Sequence, residues 1–171
     1  LGFGPLGLNP LNQPRRLKDI RAGSLGSNPY LLDAAVLGGR LLLSADGGLS
    51  GRELWSTDGT PEGTRILMDG NSGPAGFDPE QLVVSGNRVF FRASDTTHGT
   101  ELWDTDGTEQ GARLVKDIDP GMLSPGFPRG SSLFDFTPFA GRLFFTADDG
   151  RDGPELSDPG ARSWRRQGCF L

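Results

Sequence analysis

Three glutamates, Glu53, Glu101 and Glu155, each open a short apolar segment of this chain. Paired carboxylates can do general acid–base or glycosidic chemistry, one giving a proton while the other stays ionised. Such a site is one asymmetric constellation, however, and here the same glutamate recurs in successive copies of one segment. Its expected role is therefore structural. A carboxylate at the head of a buried strand stays ionised when loop N–H groups or an arginine hold it, and Arg40, Arg88 and Arg142 are the cations at hand.

Two tryptophans follow at matching places, Trp55 and Trp103. Together with Glu53 and Glu101 they are the candidate ligand-binding residues, since a repeated aromatic can stack on a sugar. Packing between neighbouring repeats is the preferred reading, because tryptophan buries a large area and its N–H needs one partner. Asp46, Asp95, Asp148 and Asp149 lie in glycine-rich loops and are the candidate metal ligands, as calcium takes carboxylate and carbonyl oxygens. Their spacing fits neither the EF-hand nor the glycine-rich nonapeptide pattern, and Asp with Gly is ordinary turn chemistry. The same caution applies to Asp58 and Asp106. No cofactor is required by these residues; calcium is the one the loops would accept. His98 is the sole histidine, and no GxSxG elbow accompanies it.

These residues sit in a chain of 171 with formal net charge −5. Its two lysines and scattered arginines form no basic patch before Arg165-Arg166, which argues against nucleic acid as a partner. Cys169 stands alone, excluding an internal disulfide framework and a CxxC zinc site. No apolar run approaches the ~18 residues of a membrane-spanning helix. The sequence opens on leucine without a charged, then apolar, leader, so a processed or incomplete piece of a longer product is expected.

The elements that must position these residues are set by a repeat. Glu53-Leu54-Trp55-Ser56-Thr57-Asp58-Gly59-Thr60 returns 48 positions later as Glu101-Leu102-Trp103-Asp104-Thr105-Asp106-Gly107-Thr108. A period of that length marks stacked arrays and propellers. Arg40–Ala45, Arg88–Ala93 and Arg142–Ala147 are strand-like runs with three bulky apolar residues together, the pattern of a strand covered on both faces. Asp/Gly loops follow them, and runs ending in Asp19, Asp69 and Asp117 close each copy. For the middle copy the strands are expected at about Glu80–Ser85, Arg88–Ser94, Glu101–Thr105 and Ala112–Ile118. The third copy carries six extra residues, placed in the loop around Pro125 to Ser132, and departs from the motif after Leu156. No 3.6-residue apolar period appears, so little or no helix is expected.

Glycine and proline, 27 and 13 residues, are together about double ordinary usage and fall at matching places in the copies. The expected fold is all-β, a partial β-propeller-like array of four-stranded antiparallel blades of about 48 residues. Residues 1–14 are read as irregular, and 15–30 as the last strand of a preceding blade plus linker. Residues 31–69, 70–118 and 119–160 are three repeats, the third incomplete, and 161–171 an irregular tail.

Glu53 to Thr60, Glu101 to Thr108, Gly63-Thr64, Lys116-Asp117-Ile118 with Pro120-Gly121, and Gly141 to Ala147 together resemble the ELWxxDGT repeat proteins of bacteria, myxobacteria among them. The resemblance covers about residues 15–158. It implies repeat architecture and a secreted or cell-surface location, and carries no catalytic residue set. The function expected is a non-enzymatic scaffold binding protein or glycan. A calcium-dependent or lectin-like module is the alternative, and a fragment of a propeller hydrolase the third reading. Three blades do not close a ring, so either further blades belong to a longer chain or copies associate through exposed blade faces.

Overall fold

The computed structural model describes residues 16–151 and 154–157. They form antiparallel sheets that follow one another along the chain. Strands β1 (Tyr30–Leu37), β2 (Arg40–Asp46), β3 (Arg52–Thr57) and β4 (Arg65–Met68) make the first sheet, ordered β1-β2-β3-β4. Strands β5 (Glu80–Ser85), β6 (Arg88–Asp95), β7 (Gly99–Thr105) and β8 (Arg113–Lys116) make the second in the same order. A small hairpin of β9 (Met122–Ser124) and β10 (Phe127–Pro128) precedes the third sheet, β11 (Phe134–Phe139), β12 (Arg142–Asp148) and β13 (Pro154–Ser157). Among the described residues the one helical element is a 3₁₀ turn at Glu109–Gly111.

The strands of the middle copy fall where the sequence places them, with β7 starting two residues earlier and β8 shorter. Tight turns close the first hairpin of each sheet. Gly38 and Gly39 both take positive φ (58° and 75°), as do Ala140 and Gly141 (51° and 74°), the twist a two-residue hairpin turn requires. Each first strand also bulges before its turn, and Gln81 and Asp135 occupy the left-handed region there at φ 54° and 58°. The six additional residues of the third copy appear as the β9–β10 hairpin, turning at Pro125-Gly126. Arg16–Asp19, which matches β4 and β8 in sequence, pairs with no strand among the described residues.

Both faces of the middle sheet are covered, which is why its strands carry apolar residues in succession. Val89, Phe91 and Trp103 pack on Leu42, Leu54 and Leu67 of the first sheet, while Phe90, Leu102 and Val115 meet Leu143, Phe145 and Ala147 of the third. The first strands also lie side by side, β1 against β5 and β5 against β11.

Candidate functional site

The repeated residues converge on the junctions between consecutive sheets. At the first junction the chain runs from β4 through linker residues 69–79 to β5, and Glu53 reaches across to hold that linker. Its carboxylate accepts the N–H of Gly70 at 3.0 Å and of Phe77 at 3.1 Å. At the second junction Glu101 accepts the N–H of Ile118 (3.1 Å) and Asp119 (3.3 Å) and the hydroxyl of Ser131 (2.7 Å). Both glutamates are fully buried. Burial pushes each carboxyl up to about 7, against the opposing pull of these hydrogen bonds. The two carboxylates bind different linkers. Glu155 has its backbone in β13, and its side chain lies outside the described residues.

Arg40 and Arg88 do not serve Glu53 and Glu101. Arg40 donates to Ser56 Oγ at 2.7 Å and the carbonyl of Gly63 at 2.5 Å. Arg88 forks onto both oxygens of Asp104 at 2.6 and 2.7 Å and reaches the carbonyl of Gly111 at 2.7 Å. Arg113 joins the same carboxylate at 3.0 Å. The guanidinium goes to the residue after the tryptophan, Ser56 or Asp104, which is itself buried, and not to the glutamate under the linker.

Trp103 lies in the first junction with its ring against Phe77, centroids 4.9 Å apart and planes at 83°. Trp55 holds the same position on the outer face of the first sheet, with Leu43 and Ala45 beside it and Ile20 packed on that cluster. Both indoles are buried, and neither N–H has a protein acceptor.

The four candidate metal ligands lie in three separate turns, Asp148 and Asp149 sharing one. Asp46 pairs with Arg21 and accepts the N–H of Gly48 at 2.7 Å. Asp95 accepts the N–H of Thr97 and pairs with His98 Nδ1 at 2.7 Å. Asp148 and Asp149 accept the N–H groups of Gly150 and Arg151 at 2.8 and 3.0 Å. Among the described residues no three His, Cys, Asp or Glu side chains gather as a metal site. Asp58 and Asp106 each bond the hydroxyl and N–H of the threonine two residues on, Thr60 and Thr108, and those hydroxyl bonds hold both carboxyls below their ordinary value.

Two features have no counterpart in the sequence motifs. The first is the linker backbone itself. Phe77 donates its N–H to the Arg52 carbonyl of the first sheet (2.9 Å) and accepts at its carbonyl from Ser94 N of the second (2.8 Å). Ser131 does the same between Thr100 and Asp148, at 3.0 and 2.7 Å. Asn71 reinforces the first link, donating to the carbonyls of Gly76 and Ser94 at 2.9 and 2.8 Å. The second is the β9–β10 hairpin, whose Met122, Leu123 and Phe127 are 58%, 76% and 66% exposed. Leu123 borders an open cleft of about 540 Å³ with Asp119, Arg129, Asp148 and Arg151 around it. The dipeptide Pro125-Gly126 inside the six-residue insertion is the signal that marks this hairpin.

Neither protein-family models, nor curated proteins, nor solved structures give a match to this chain.

Proposed function

We propose that this chain is part of a propeller-like, non-enzymatic repeat scaffold that binds a protein partner through the β9–β10 hairpin, which has no counterpart in the other described linker. The observation that carries this reading is a division of labour. Glu53, Glu101, Trp103 and the linker amides face inward and tie sheet to sheet, whereas Met122, Leu123 and Phe127 stand in solvent on an insertion that the other linker lacks. Exposed apolar clusters of this kind mark interaction surfaces. The blade-like arrangement is supported by the side-by-side first strands and by the face-to-face packing of successive sheets. Kinship with the ELWxxDGT repeat proteins, and with it a secreted or cell-surface location, rests on the motif residues alone.

The test compares the chain with a Met122→Ser, Leu123→Ser, Phe127→Ser variant. Both are immobilised and exposed to the secreted and cell-envelope proteins of the producing organism, and to a glycan array. A protein retained by the parent and lost by the folded variant is the expected result. Equal retention by both, or specific capture of a glycan, overturns the reading.

A further inference from the structure

We propose that two copies of this chain join head to tail, each lending residues 16–19 as the fourth strand of the other's third sheet. This rests on the array reading above and supplies one occupant for the far edge of β13 and for the outer face of the first sheet.

An imbalance of strands comes first. The first two sheets carry outer strands β4 and β8, whereas among the described residues the far edge of β13 is unpaired. Arg16–Asp19 is the converse, a segment matching β4 and β8 that has no sheet. Its position is already that of an outer strand. Lys18 Nζ donates to the carbonyls of Pro61 (3.0 Å) and Thr64 (2.5 Å) beside the first sheet's β3–β4 turn. Arg65 of β4 likewise meets Glu109, 3.0 Å away, in the β7–β8 turn of the second sheet.

The space beneath that segment is filled only in part, where Ile20 covers Leu43, Ala45 and Trp55. A groove of about 500 Å³ separates residues 16–29 from the outer face of the first sheet, floored by Leu41 and Leu43. The matching residues of the next sheets, Val89 with Phe91 and Leu143 with Phe145, pack on the sheet before them. The third sheet offers the complementary face. Phe144 stands where Leu42 and Phe90 receive the following sheet, with the ring of Phe139, 69% exposed, 6.3 Å away. The contact between copies would repeat one the chain makes twice within itself, a heterologous interface.

The backbone agrees. Ser27 accepts at its carbonyl from Asp46 N at 2.8 Å, as Phe77 and Ser131 do from the equivalent amides. Phe77 and Ser131 also donate to the preceding sheet; among the described residues Ser27 N–H has no such acceptor. The matching carbonyl is that of Pro154, in the partner's β13. Strand addition fills an open edge with main-chain hydrogen bonds. Two reciprocal additions join the six larger sheets formed by the described residues of two copies, a number within the four to eight of closed propellers.

Repeat equivalence also sets the register. Leu102 opposite Lys116 and Trp103 opposite Leu114 place Lys18 opposite the partner's Leu156 and Arg16 opposite the partner's Ser157. Sedimentation of the full chain is expected to give twice the 18.3 kDa chain mass. An Arg16→Cys, Ser157→Cys variant in a Cys169→Ser background is expected to form a covalent dimer on mild oxidation. Adding Leu17→Pro, which breaks the lent strand, is expected to abolish it. A monomer with intact β-sheet circular dichroism overturns the pairing, as does a ladder of higher species, a disulfide closed within one chain, or a dimer indifferent to Leu17→Pro. The array reading fails separately, if the amides of Phe77 and Ser131 exchange freely with solvent in the folded chain.

Discussion

The backbone N–H of Gln81 donates to the carboxylate of Asp33 across 3.1 Å, and the two residues hold the same place in β5 and β1, 48 positions apart. The bulge that turns Gln81 to φ 54° is what frees its N–H from the strand ladder. Asp33→Ala leaves that half-buried amide unpaired and should cost about 1 kcal/mol, whereas Asp33→Asn keeps an acceptor and should be nearly neutral. Thermal unfolding of the two variants decides it; equal losses would mean the bond contributes little.

Glu53 and Glu101 give the fold a pH dependence of defined sign. Their carboxyls stand at about 7 when folded, against an ordinary 4.5. Between those values the folded chain binds more protons than the unfolded chain, so stability from these groups is full below about pH 4.5 and is lost as pH rises through 7. The loss is on the order of 2–3 kcal/mol for each. Urea midpoints at pH 4.5 and 7.5 should differ in this direction, and the difference should shrink in a Glu53→Gln, Glu101→Gln variant. An unchanged slope in that variant would refute the assignment.

Glycines at the junctions are there for room. A Cβ on Gly99 would fall on the carbonyl of Arg129, and one on Gly51 would lie 2.7–2.8 Å from backbone atoms of Gly76 and Pro74. Both also take positive φ (74° and 75°), so alanine there should cost roughly 2–4 kcal/mol through strain and displaced linker. Gly59, with φ 88° and open space around it, should lose only about 1 kcal/mol. Melting curves of Gly99→Ala, Gly51→Ala and Gly59→Ala should keep that ranking.

Gly63 and Gly111 press on the turn carboxylates instead, since a Cβ at either would overlap Asp58 or Asp106. Gly63→Ala should lower the melting temperature by displacing Asp58 from Thr60. In an Asp58→Ala background the same change should cost distinctly less. Additive losses would place the strain elsewhere.

Millimolar calcium should leave the melting temperature unchanged. Asp46 is engaged by Arg21, Asp95 by His98, and Asp148 and Asp149 each by a local amide. A rise of several degrees would show that these loops rearrange to take the ion.

Much of the strand pattern was legible because side chains record it. Leu41-Leu42-Leu43 and Val89-Phe90-Phe91 announce strands covered on both faces, and a glycine marks each turn before them. What stayed hidden is carried by the main chain. Phe77 and Ser131 play one role with unlike side chains, because their N–H and C=O groups do the linking. For Glu53 and Glu101 the sequence allows loop amides or an arginine as partners, and the structure selects the amides. Arg40 and Arg88 go to Ser56 and Asp104, a choice that depends on which side chains share a strand face across β2–β3 and β6–β7. The β9–β10 hairpin looked like loop because three residues of strand are too few to show a period.

The linker amides of Phe77 and Ser131 each belong to two sheets at once, which changes where this molecule can be cut and rejoined. An excised unit bounded at residues 69–79 would take along half of its neighbour's fastening. Splicing or circular permutation at Gly38-Gly39 or Ala140-Gly141 would leave every such fastening whole, since neither Gly38, Gly39 nor Gly141 has a non-adjacent atom within 4 Å of where its Cβ would stand. The transferable module is therefore offset from the sequence repeat, running from one hairpin turn to the next.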